Sequence, residues 1–326
     1  MRKLDDIALF VNAHYDLEVT RIGKLTEKVY KIETPQKEFL LKFAKGDDEF
    51  LTKQMYAHKE MPDTVLPIYE TNTGDRVAYE SEYFAYLTDY VRQSPMPLEA
   101  RVRDYSKLLR TLHETTKITV DKNEDEISWM YTDDYEELEE NFTMLENMVT
   151  QVEMKLSRSP FEWQLLMTFP LIYGMYRRSD EMMQKFYKLL SRKKRIPISM
   201  IHGDVNVSNV LPTTNKTHII NFESSSFDIP TKDLIKFLNF YHQSSGTTNM
   251  IAEYLRSQKN QLIVYHFFMK SLCFDFKTFA SQLTGNSLID LSMFNERLAP
   301  AIIAMNIFEE MYTPKKPDVQ EETKES

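Results

Sequence analysis

The sequence predicts an α+β fold in two lobes: a small antiparallel sheet carrying one helix, then a larger, mostly helical part. Three observations predict it. The first is a series of short apolar or alternating runs separated by polar turns: "LEVTRIG", "KVYKIET", "EFLLKFA", "VLPIYE", "RVAYESE" and "YFAYLTDY". The second is a change of texture after Pro95 and Pro97, where apolar residues begin to recur at helical spacing. The third is a pair of strand-like runs, "ISMIHGDV" and "HIINFE", flanking the turn-rich "PTTNKT".

Each element follows in order. Residues 4–14 read as a short helix with Ile7, Phe10 and Val11 on one side. The strands come next, with Thr73-Gly74-Asp75 as a turn between two of them. A helix over residues 47–60 fills the gap between Lys42 and Val65. Residues 1–92 therefore form the sheet lobe, and residues 90–97 a hinge. Residues 93–312 form the helical lobe, with a helical insert over about 120–195.

Within that lobe Val102, Tyr105, Leu108, Leu109 and Leu112 share one helix face. Tyr135, Leu138, Phe142, Leu145, Val149, Val152 and Leu156 recur at gaps of three and four, and Asp133 with Glu136 is placed to cap the start of that helix. The spacing is read as a helix packed against a neighbour in its own domain rather than as a coiled coil. Ser159, Pro160 and Glu162 carry the signature of another helix start. The basic run "SRKKR" is read as a solvated loop, residues 231–312 as largely helical, and the polar tail 313–326 as disordered.

Composition narrows the function. The net charge of −9 repels phosphate backbones, so nucleic acid is not an expected partner. The single cysteine, Cys273, cannot form an internal disulfide, which fits a reducing, cytoplasmic setting, and its neighbours Leu272, Phe274 and Phe276 suggest a buried inert thiol. Asp5 and Asp6 interrupt the first apolar run, which argues against a secretory signal. No apolar run approaches the roughly 18 residues of a membrane span. With 7 glycines in the chain, a full glycine-rich dinucleotide turn is not expected. Methionines such as Met182, Met183 and Met200 are read as core filler, and Trp163, Tyr173 and Tyr176 as packing between helices.

The chemistry concentrates in "MIHGDVNVSNVL" and "IINFESSSFDIPTKDL". Phosphoryl transfer needs a carboxylate near the attacking hydroxyl and oxygen ligands for Mg²⁺ on the phosphates. Asp204 and Asn209, five residues apart after a strand, can supply both from one loop. His202-Gly203-Asp204 alone is a weak signal; joined to Asn209 and a following apolar strand with Phe222-Glu223 it is a strong one. A metal hydrolase built on His202 and Asp204 would need further ligands, and His218 and His242 do not complete such a set.

This combination resembles the signature of the aminoglycoside phosphotransferase and choline kinase superfamily, relatives of the protein kinases, over most of the chain. The helical insert with "SPFEWQLLMTFPLIYGMYRR" looks like the spore-coat-associated CotS-type branch. The resemblance implies a protein-kinase-like fold with ATP and Mg²⁺ as cofactors. It implies Asp204 as catalytic base and Asn209 as a metal-binding asparagine, with Asn221 at the position of the metal-binding aspartate. Lys42 matches the lysine that grips the phosphates, with Glu49, or alternatively Glu60, as its helix partner. "LTDYVRQ", with Asp89 and Tyr90, resembles the hinge that receives adenine through backbone groups. Asp233 matches a brace of the catalytic loop, and His202 and His113 are read as structural.

Two departures qualify the resemblance. The phosphate loop "RIGKLTEKVY" has only Gly23, and Asn221 replaces an aspartate. Mg²⁺ is commonly held by one or two carboxylates plus substrate phosphates, and at position 221 that charge is gone. Glu223, two residues along the expected strand, or Asp228 could restore it. Three readings stay open: a nucleotide-binding protein with weak or absent phosphotransfer, an active kinase for a small hydroxylated molecule, and a scaffold with protein partners in an assembly such as a spore coat.

Overall fold

The structure, a computed structural model, describes residues 4–46 and 48–312. The expected disordered tail lies outside the described residues. The chain groups into two compact units, Met1–Lys122 with Lys193–Tyr254, and Asn123–Arg192 with Leu255–Ser326.

The first unit opens with α1 (Leu4–Tyr15), then β1 (Arg21–Lys24), β2 (Val29–Glu33), β3 (Glu38–Ala44), α2 (Glu49–Glu60), β4 (Ile68–Tyr69), β5 (Ala78–Glu80) and β6 (Tyr83–Asp89). The strands form one antiparallel sheet in the order β1-β2-β3-β6-β4, with β5 also paired to β6. Strand parity decides its two faces. In β3, Phe39, Leu41 and Phe43 are buried with Tyr30, Ile32 and Leu87 in a core capped by Ile7, Val11 and Tyr15 of α1. On the other face, Phe50 and Leu51 of α2 pack against Val77, Phe84 and Tyr86. Lys42 belongs to this second face. Gly74 closes the predicted turn with φ +81°, a conformation that suits glycine.

The chain then enters α3 (Leu98–Thr115), whose predicted face, Val102, Tyr105, Leu108, Leu109 and Leu112, is buried together with His113. β7 (Ile118–Asp121) pairs with β8 (Arg195–Ile201), which also carries β11 (Ser226–Asp228). β9 (Val210–Pro212), a strand the sequence did not announce, and β10 (Thr217–Ile219) pair as a hairpin around the predicted turn "PTTNKT", followed by α6 (Thr231–Tyr241) and α7 (Thr247–Ser257). The basic run lies in the connection into β8, where Arg195 pairs with Asp121 at 3.1 Å.

The second unit is helical: α4 (Glu124–Glu153), α5 (Pro160–Ser191), α8 (Gln261–Ser271), α9 (Phe276–Ser281) and α10 (Ser287–Tyr312). α5 starts where predicted. The Ser159 hydroxyl accepts the Glu162 N–H, and the Glu162 carboxylate accepts the Ser159 N–H at 2.7 Å. The start of α4 differs from expectation. Asn123, not Asp133, caps it, its side-chain oxygen accepting from the N–H groups of Asp125 and Glu126. Leu138, Leu145, Val149 and Val152 are buried, whereas Tyr135 is exposed and Leu156 lies beyond the helix end in solvent. Burial pushes the Cys273 thiol well above its ordinary range, which keeps it protonated and unreactive. Among the described residues no helix is long and apolar enough to cross a membrane.

A candidate nucleotide site on the inner face of the sheet

All of the principal candidates fall in the first unit. A cavity of about 250 Å³ opens against the second face of the sheet. Leu25, Val29, Leu40, Leu66 and Leu211 give it apolar walls, and Lys42, Asn221, Asp89 and Tyr90 reach its lining. An apolar slot with a few convergent polar groups is the usual shape of a cofactor site.

The loop after β8 is built around Asp233. This carboxylate, at the start of α6, is fully buried. One oxygen accepts the His202 main-chain N–H at 2.7 Å and faces the His113 ring nitrogen Nε2 at 3.1 Å; the other accepts the Gly203 N–H at 2.9 Å. Burial alone would raise its pKa. The bonds and charge supplied by His113 and the two main-chain N–H groups outweigh that and hold it below the ordinary carboxylate range. His202 is buried with Nδ1 2.8 Å from the Asp204 carbonyl and Nε2 2.9 Å from the Ile220 carbonyl, so it ties together the two loops carrying Asp204 and Asn221. Gly203 has φ +81°, and a Cβ there would lie 2.0 Å from the Ser224 carbonyl oxygen. Only glycine fits.

Four predicted residues meet in one directed chain of hydrogen bonds. The Lys42 ammonium donates to Asn221 Oδ1 at 3.1 Å. Asn221 Nδ2 donates to Asn209 Oδ1 at 2.7 Å. Asn209 Nδ2 donates to Asp204 Oδ2 at 2.9 Å and to the Asp204 carbonyl at 2.9 Å. Asn209 is buried, and Asp204 is exposed at the end of the chain. Burial lowers the pKa of Lys42, and the Glu223 charge partly opposes that shift.

Several expectations need correction. Asn221 does not lie on a strand. β10 ends at Ile219, Asn221 has φ 65°, and Phe222–Ser224 form a 3-10 turn. The strand parity that would align Glu223 with Asn221 is therefore absent, and Glu223 is exposed. Asp228 is held by its own neighbours, accepting the Ile229 N–H at 2.7 Å and pairing with Lys232. The expected partner of Lys42 is also displaced. Glu49 sits in the first turn of α2 with its side chain largely exposed, 3.8 Å from Lys53, and Glu60 is exposed at the other end. The α2 residue in the cavity wall is Gln54, whose amide donates to the Leu66 carbonyl at 3.1 Å. At Asp89 and Tyr90, the Tyr90 N–H donates to the Glu38 carbonyl at 3.1 Å, and the Asp89 carboxylate takes Lys37 at 2.6 Å and the Tyr69 hydroxyl at 2.7 Å.

Sequence reasoning passed over three supports. The Tyr105 hydroxyl donates to the Asp204 carbonyl at 3.0 Å, the Tyr241 hydroxyl accepts the Val207 N–H at 2.7 Å, and the Lys236 ammonium donates to the Gly203 carbonyl at 2.6 Å. Lys236 follows Asp233 by three residues on α6 and so lies on the same helix face, a spacing visible in the sequence.

Whether these side chains suit Mg²⁺ turns on the donor set. Both amide oxygens that would face a cation already accept hydrogen bonds, and position 221 brings no carboxylate. Among the described residues no three His, Cys, Asp or Glu side chains gather to hold a metal. The arrangement does not fit the usual Mg²⁺ seat.

A small antiparallel sheet bearing a half-buried lysine, followed by a helical part and an Asp-Asn loop braced on a helix, defines a protein-kinase-like phosphotransferase fold. Solved structures bear this out. An aminoglycoside phosphotransferase from Alicyclobacillus acidocaldarius subsp. acidocaldarius DSM 446 superposes with a TM-score of 0.55 at 12% identity, over 91% of this chain and 93% of that one. The AMP-bound spectinomycin phosphotransferase APH(9)-Ia gives 0.51 at 14% identity, over 93% and 98%. No curated protein matches the chain. The model of the phosphotransferase enzyme family matches residues 18–267, and the chain belongs to that family.

Proposed function

We propose that this protein binds a nucleotide in the cavity beneath its sheet and that phosphoryl transfer there is weak or absent. The observation that carries the reading is the chain Lys42–Asn221–Asn209–Asp204 at the cavity's edge. Lys42 is a half-buried cation beside an apolar slot, the pairing that a nucleotide's phosphate and base require. The family resemblance supports ATP as the nucleotide. The amide at position 221 withdraws the charge that would anchor Mg²⁺, and electrostatic stabilisation supplies most of the rate in this chemistry.

One observation favours a second reading. Asp204 keeps an exposed carboxylate. That suits a general base for a small hydroxylated acceptor. The likeness of the insert to the spore-coat-associated branch supports protein partners in an assembly, and the single cysteine supports a cytoplasmic setting.

A thermal-shift titration with ATP tests the first reading. A ligand at 100 times its dissociation constant stabilises by about 2.7 kcal/mol. The parent should therefore melt higher with ATP, and Lys42→Met should not respond. A parent unmoved by ATP leaves only a scaffold. Steady ATP turnover by the parent, abolished in Asp204→Ala, establishes the active kinase instead.

A further inference from the structure

We infer that the seat formed by Lys42, Asn221, Asn209 and Asp204 is complete without a divalent cation, so that nucleotide binds equally well with and without Mg²⁺. The inference rests on the nucleotide-binding reading and adds to it the rule by which the phosphates are held.

Donors and acceptors decide how the seat is held. A carboxylate at position 221 could not donate, and its oxygen would face Asn209 Oδ1 across the 2.7 Å now spanned by a hydrogen bond. Two opposed acceptors at that distance are held together only by a cation or a proton between them. The amide of Asn221 turns one of them into a donor. The series then runs in one direction, ammonium to amide to amide to carboxylate, with both amide oxygens and one oxygen of Asp204 answered by an N–H. The bond links the two loops as a bridging cation would, and with the bond from Lys42 it occupies one of the two lone pairs on each amide oxygen.

Backbone strain does not account for the asparagine. Asn221 has φ 65°, a region that asparagine and aspartate both tolerate better than other L-residues. What the amide changes is charge and donor capacity. Without a carboxylate at 221, one negative group fewer faces the phosphates. Lys42 remains to meet them, and its desolvated ammonium gains more from an anion than an exposed lysine would.

Isothermal titration with ADP, in excess Mg²⁺ and in EDTA, reads the rule directly. The parent's dissociation constant should differ by less than about twofold between the two conditions. Asn221→Asp should lose about tenfold or more of its ADP affinity in EDTA and recover it in Mg²⁺. Mg²⁺ alone should raise the melting temperature of Asn221→Asp and leave the parent unchanged. ADP binding by the parent that weakens about tenfold in EDTA overturns the inference while leaving the nucleotide reading intact. No ADP binding in either condition overturns both. The parent's titrations decide the matter even if the variant does not fold.

Discussion

Replacing Asp233 with asparagine removes half of the anchor from which the Asp204 loop hangs. The carboxylate is fully buried, and its two oxygens serve the N–H groups of His202 and Gly203 and the ring of His113. Asparagine offers one oxygen, and its amide N–H₂ turns towards whichever donor is left over. A buried donor without a partner costs about 1–3 kcal/mol, and a bond to a charged acceptor contributes about 1.5–3. Asp233→Asn should therefore lose about 3 kcal/mol, and Asp233→Ala, which strands all three groups, about 5. At about 2–4 °C per kcal/mol, the asparagine variant should melt about 6–12 °C lower by differential scanning calorimetry. The pH dependence gives a second check. Asp233 is held below its ordinary value of 3.8 in the folded chain. Its contribution is therefore present above that value and fades only as pH falls through the lower folded pKa. The gap between parent and variant should stay constant from neutrality down to about pH 4 and narrow below it. An asparagine variant melting within about 2 °C of the parent at neutral pH would mean that the loop does not hang from this carboxylate.

Two further substitutions probe other joints. Gly203→Ala combines a left-handed backbone with a Cβ driven against the Ser224 carbonyl, so it should destabilise by about 3 kcal/mol and suppress ADP binding as the loop shifts. Ser159→Ala removes half of the capping box of α5 and should lower stability by about 1 kcal/mol while leaving ADP affinity unchanged, since it lies in the second unit.

Much of the fold could be read from patterns that follow directly from backbone geometry. The run "EFLLKFA" reads as a strand and forms β3, where alternation buries Phe39, Leu41 and Phe43 on one face and leaves Lys42 on the other. Three-four spacing identified the buried face of α3, and Ser159-Pro160-Glu162 gave the start of α5. The misreadings have physical causes. At the start of α4, Asp133 offered a plausible cap, but Asn123 answers two N–H groups ten residues earlier, ahead of the acidic first turn Glu124-Asp125-Glu126. A charged, exposed opening turn carries no apolar period by which to find it. At the site, a left-handed residue after Ile219 ended the strand, and apolar periodicity does not report a single φ. The partner of Lys42 was misplaced because α2 is amphipathic in a way that leaves Glu49 and Glu60 both outside, with Gln54 facing in. The sequence could supply the four residues of the site, but not the direction of the hydrogen bonds between them.

A crystal structure of the protein grown with ADP and without divalent cations would test the site itself. A phosphate should lie within hydrogen-bond reach of Lys42 Nζ, with the base in the slot beside Leu40 and Leu211 and the amide of Asn221 still donating to Asn209. An ADP seated elsewhere on the chain, or those two asparagine side chains swung apart around the bound phosphates, would contradict this arrangement.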